Sequence, residues 1–189
     1  MAGILKNMVE KAWGIIILGN TAWDKIGAEK ASASAIRRQY VYPWIITAIV
    51  VTFLFGLLYT SDKALETAIL DVIITTISLL GAYFISNLMC FAYLKKASPE
   101  LASKVNCETI IAYSYTVIIL IDIATVIIPS LFFLRILSIF VAYVIWEGCR
   151  AIWLLKEDER GNIVLVFSIV IIFIPIIISK IIHWMLPNA

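Results

Sequence analysis

The chain has 189 residues, 62% of them hydrophobic and 15% charged, with a formal net charge of +2. Soluble domains run at roughly 45–50% apolar, so most of this chain is built to face lipid rather than water, and so small a net charge gives no argument for binding nucleic acid. Three cysteines, Cys90, Cys107 and Cys149, with no CxxC or zinc-type spacing, predict free thiols and neither a metal site nor another cofactor.

In chain order, Ile4/Leu5, Met8/Val9, Ala12/Trp13 and Ile16/Ile17 recur at helical spacing, with Lys6, Asn7, Glu10 and Lys11 on the opposite face. Such an amphipathic helix is expected to lie in the cytoplasmic interface of a membrane. The charges threaded through it, with no A-x-A-like site following, argue against a signal peptide. Thr21-Ala22-Trp23-Asp24 has the T-x-x-D form of a capping box, which predicts a short second helix through Lys30 and then a polar link from Ser32 to Gln39. Residues 1–40 are thus read as a cytoplasmic amphipathic region and 41–189 as a transmembrane domain.

A bilayer core of about 30 Å takes about 20 apolar residues of helix. Five stretches qualify: about 41–59, 67–94, 109–128, 131–155 and 163–186. The expected fold is therefore an all-α five-span bundle with an N-terminal interfacial helix. Pro43 is placed at a helix start, where its missing N–H costs nothing. Pro129 and Ser130 mark the turn between the third and fourth spans, and Pro175 is tolerated inside a membrane helix. Lys6, Lys11, Lys25, Lys30, Arg37, Arg38, Lys95, Lys96, Lys104, Lys156 and Arg160 fall in connections on one side, and only Lys63 falls in those on the other. Eleven against one predicts a cytoplasmic N-terminus and an outer C-terminal tail, Pro187-Asn188-Ala189.

Ionisable residues inside a bilayer cost about 2.5–3.5 kcal/mol each on insertion scales, so each demands a partner or a wet cavity. Asp71, Asp122, Arg135 and Lys180 fall in the outer half, with His183 near the outer edge. One reading pairs Asp122 with Arg135 and Asp71 with Lys180 as helix-pinning salt bridges; the other makes the two acids a proton or cation site open to the outside. Glu147 and Arg150, three apart on one helix face toward the cytoplasmic side, are read as an intrahelical pair. Ser78, Ala82 and Ser86 form a small-xxx-small ladder that invites close approach of another helix, from this chain or a second copy. His183 has no neighbouring nucleophile or metal ligand, which argues against an enzyme.

Ile4-Leu5-Lys6-Asn7, Asn20-Thr21-Ala22-Trp23-Asp24-Lys25-Ile26, Tyr40-Val41-Tyr42-Pro43, Ile110-Ile111-Ala112-Tyr113-Ser114, Tyr143-Val144-Ile145-Trp146-Glu147-Gly148 and the loop from Lys156 to Arg160 together resemble the bacterial branch of the Yip family of Ypt/Rab-interacting membrane proteins. The resemblance implies five spans, a cytoplasmic N-terminus and the cytoplasmic membrane of a bacterium. The vesicle-traffic role of eukaryotic relatives does not carry over, because their long N-terminal region and aspartate-leucine-tyrosine-glycine-proline motif are missing here. The leading functional expectation is a non-enzymatic protein that binds or organises protein partners at the membrane through its N-terminal region. The alternative is a small proton, ion or solute channel or carrier using the outer carboxylates.

Overall fold

A computed structural model describes residues 2–59 and 63–185, and among them every regular element is helical. The elements are α1 (Ala2–Ile17), α2 (Asn20–Glu29), α3 (Ala33–Ile36), α4 (Tyr42–Tyr59), α5 (Ala64–Ala97), α6 (Lys104–Ile127), α7 (Phe140–Trp153) and α8 (Glu157–Met185). Five helical stretches are long and apolar enough to cross a bilayer: Ala33–Tyr59, Ala64–Ala97, Lys104–Ile127, Pro129–Trp153 and Glu157–Met185, with mean hydropathies between 1.9 and 2.9. Leu186 and the tail Pro187-Asn188-Ala189 lie outside the described residues.

The boundaries differ from expectation where local chemistry extends a helix beyond its apolar run. The supposed link from Ser32 to Gln39 is itself mostly helical. The Ser32 hydroxyl accepts from Ala35 N–H to cap α3, and α3 runs through a π-helical turn at Arg37–Val41 into α4. The π turn has a cause just beyond it. Pro43 lacks the N–H that would bond four residues back, and the ladder ahead of it widens, with Tyr42 N–H reaching Arg37 O. Pro43 therefore sits within a continuous helix rather than at its start.

α8 likewise begins at Glu157 rather than near Ile163. Glu157, Asp158 and Glu159 occupy its first turn, where carboxylates favour the helix dipole, and Glu159 accepts from the Lys156 N–H at 3.0 Å. The first half of the fourth span is no α-helix at all. Pro129–Ile139 forms a 3₁₀ stretch with no buried residue, and only then does α7 begin. The capping box expected at Thr21 does not form either. α2 begins at Asn20 after Gly19, whose φ is +41°, with no side-chain cap, and Asp24 turns to Arg150 instead. A Cβ on Gly19 would come within 2.5 Å of the Tyr143 hydroxyl, so only glycine fits that backbone and that contact.

The spans alternate in direction, so one end of the bundle carries α1–α3 and the connections after α5 and α7; it is called the N-terminal end here. α6 is the central helix. Every residue from Cys107 to Ile119 is buried, packed among α4, α5, α7 and α8. α1 and α2 fold back onto the N-terminal end. Met8, Ala12 and Ile15 of α1 and Trp23 and Ile26 of α2 are buried against it, and Trp23 meets the Tyr113 ring edge-on at 5.8 Å. Gly148 makes room for this, since a Cβ there would stand 3.0 Å from the Trp23 ring. The opposite face of α1 presents Val9, Trp13 and Ile17 to the exterior.

The Ser78, Ala82 and Ser86 ladder is buried within the chain's own bundle. α4 and α5 also approach closely at Gly56, where a Cβ would stand 3.1 Å from Ala68 Cβ. Cys90, Cys107 and Cys149 are free and buried.

Candidate functional site

The end opposite the N-terminal helices holds a cavity of about 1020 Å³ to which all five spans contribute. α5 supplies Asp71, Thr75 and Ser78, α6 supplies Asp122, the 3₁₀ stretch supplies Arg135 and Ser138, and α8 supplies Ser179, Lys180 and His183. The five ionisable residues assigned from the sequence to the outer half of the membrane therefore line one space. Two features of the backbone shape it. The 3₁₀ stretch turns once every three residues, which brings Arg135 and Ser138 to the same side, with the Ser138 hydroxyl donating to Arg135 O at 2.7 Å. On α8, buried Pro175 forms part of the wall and deprives the Ile171 carbonyl of its usual intrahelical donor.

The expected salt bridges Asp122–Arg135 and Asp71–Lys180 are not made. Among the described residues no nitrogen of Arg135, Lys180 or His183 comes within 4.0 Å of a carboxylate oxygen. His183 Nδ1 instead lies 2.8 Å from Ser179 O, one turn back on its own helix. Asp71 and Asp122 are half-buried, while Arg135, Lys180 and His183 are exposed at the wall. Ser78 Oγ is buried on the wall with no partner in the protein. Charges set apart around an apolar helix bundle call for water or a ligand between them.

The N-terminal end is chemically the reverse. Arg37 Nη1 donates to both oxygens of Glu108, at 2.6 and 2.8 Å, and the Tyr83 hydroxyl donates to Glu108 Oε1 at 2.8 Å. About two turns further along α6 the Thr116 hydroxyl donates to Tyr40 Oη at 2.9 Å. Glu147 and Arg150 pair at 3.0 Å on α7, and Arg150 also donates to Asn20 O and to Asp24, tying α2 to the bundle. Lys11 of α1 pairs with Glu29 of α2. Arg160, also buried, donates to Leu155 O at 2.8 Å and lies over the Trp146 ring.

The Glu108 network escaped the sequence reading because Glu108 falls one residue ahead of the expected third span, where a carboxylate reads as a loop residue. Its signal is the unbroken apolar run that follows at once, which leaves Glu108 on a helix already inside the bundle.

Fold and site together define a polytopic all-α membrane protein whose buried carboxylates are ion-paired at one end and whose other end is hollow and charged. Comparison with family models, curated proteins and solved structures yields no match.

Proposed function

We propose that the chain is a small non-enzymatic carrier whose substrate site is the cavity around Asp71 and Asp122, facing the outside of the cytoplasmic membrane. The observation that carries this reading is the spacing of charges in that cavity. Ion pairs in a dry bundle would have made the same residues structural pins, whereas unpaired acids and bases around about 1020 Å³ of open space fit a wet binding site. Ligand pockets of this kind run to roughly 300–1,000 Å³, so the volume suits a small solute and some water. The orientation follows the eleven Lys and Arg residues of the connections at the N-terminal end, which favours that end in the cytoplasm. The bacterial Yip-type assignment is proposed on its short motifs alone.

A carrier also needs a barrier on the other side of its site. The Glu108–Arg37–Tyr83 group and the packed rings of Tyr40, Tyr113 and Trp23 supply one here. The partner-organising reading has one observation in its favour, the exterior stripe of Val9, Trp13 and Ile17 on α1, an apolar face that a protein partner could cover in place of the lipid interface.

The test is flux. Proteoliposomes containing the protein should pass protons, alkali cations or small polar solutes above the rate of empty vesicles, and Asp122→Asn should abolish that excess. Absence of any excess across this panel, or an Asp122→Asn variant as active as the parent, would contradict the carrier.

A further inference from the structure

The chain deals with buried charge in two ways. At the N-terminal end each buried or half-buried carboxylate has a cation within hydrogen-bond reach: Glu108 has Arg37, and Glu147 has Arg150. At the other end two acids and two permanent cations, Asp71, Asp122, Arg135 and Lys180, line one cavity and none meets another within 4.0 Å. The acids stand on neighbouring helices, α5 and α6, and the cations on the 3₁₀ stretch and α8. With His183 neutral the four formal charges cancel, so the cavity has polarity without net charge.

An occupant of one sign would satisfy half of this lining and leave two like charges facing it. A cation alone would meet the acids and be repelled by Arg135 and Lys180, and an anion alone would meet the reverse. A molecule carrying both signs satisfies both halves at once and adds no net charge to a site at bilayer depth.

We infer that the cavity takes a small dipolar molecule bearing an ammonium group and an anionic group, with the ammonium held by an acid of the lining, Asp71 or Asp122, and the carboxylate or phosphate by a cation, Arg135 or Lys180. This rests on the reading of the cavity as a substrate site. Guanidinium offers the anion two parallel donors, whereas Lys180 supplies a single mobile charge, so Arg135 fixes orientation and Lys180 adds attraction. The chemistry is shared by free amino acids and by the phosphoethanolamine headgroup of a lipid.

The experiment is calorimetric titration of the full chain in an uncharged detergent with four probes: L-alanine, glycerophosphoethanolamine, ethylamine and acetate. At least one dipolar probe should bind, and neither single-charge probe should bind comparably. Asp122→Asn and Arg135→Gln should each weaken the dipolar probe about tenfold or more, the usual loss when a charged hydrogen-bond partner is removed. A variant that fails to fold is recognised by its elution and unfolding profile, and Lys180→Gln, at the exposed rim, then supplies a milder loss of the same sign. Binding of ethylamine as strong as that of the dipolar probes, or silence from both dipolar probes, overturns the inference.

Two further arms separate sources and readings. If nanodiscs of phosphatidylethanolamine, but not of phosphatidylglycerol, suppress binding of the soluble probes, the inference stands with the lipid headgroup as the source; undiminished binding in both supports a free solute. Dipolar binding without flux in proteoliposomes supports the substrate class and removes the carrier, while cation flux without dipolar binding overturns the class and leaves the carrier.

Discussion

Glu108 is 7% exposed and accepts from both Arg37 and Tyr83, so its loss leaves a guanidinium facing protein instead of carboxylate. Arg37 keeps about a third of its side chain exposed, and water screens part of the cost. Glu108→Gln should therefore destabilise the protein by about 1–3 kcal/mol, measured by denaturant or thermal unfolding in detergent. The double variant Arg37→Met, Glu108→Leu should recover part of that loss, because neither charge is then left alone. An unchanged Glu108→Gln would mean that the network contributes nothing. At Gly148 the Trp23 ring leaves no room for a side chain, so Gly148→Leu should cost about 1–3 kcal/mol by overpacking and loosen α2. Retention of normal protease resistance in α2 would contradict it.

How far such residues could be read from sequence depends on which coordinate they need. Glu147 and Arg150 were legible as a pair because the helical spacing fixes both height and azimuth. Asp122 with Arg135, and Asp71 with Lys180, were matched by depth along their spans, which says nothing of direction around the helix. Packing sets that direction, and it turns all four toward a common space rather than toward each other.

Among the elements, α1 depends most on its own face pattern. Its inner residues Met8, Ala12 and Ile15 are buried and Lys11 pairs with Glu29, so α1 is part of the fold rather than a free arm. Removing Met1–Gly19 uncovers the surface around Tyr40 and Tyr113 and should lower the unfolding temperature of the remainder; an unchanged transition would show that α1 merely rests there.

The Lys11 pair carries a pH signature. Burial alone would lower the Lys11 pKa, but the Glu29 carboxylate and the Tyr113 hydroxyl outweigh it and the net shift is upward from 10.5. A lysine raised on folding contributes stability that is fully present below its unfolded value and is lost as pH climbs through the folded one. Docking of α1 should therefore hold through neutral pH and weaken only above about pH 10.5, an effect absent in Lys11→Met and visible in hydrogen exchange at the buried Ala12 and Ile15. Five long apolar helices were plain from hydropathy. The 3₁₀ stretch at Pro129–Ile139 was not, because its composition is as apolar as an α-helical span and differs only in hydrogen-bond spacing.

For the whole molecule, the contrast between its two ends organises the account. The eleven Lys and Arg residues of the connections, the N-terminal helices and the paired carboxylates gather at one end; the cavity and the unpaired charges occupy the other. Charge asymmetry made the first half legible, since counting needs no packing. Whether the other charges met partners or faced a cavity was not legible, because a cavity is a property of five helices at once. The direct test is whether water enters. Thr75 lies on the cavity wall, so in a chain with Cys90, Cys107 and Cys149 replaced by alanine, Thr75→Cys reports on that space. A membrane-impermeant thiol reagent added from the side opposite the N-terminal helices should modify it in intact vesicles, and the same reagent confined to the N-terminal side should not. If Thr75→Cys stays unreactive until the protein is denatured, the cavity is dry and the account of a substrate site fails.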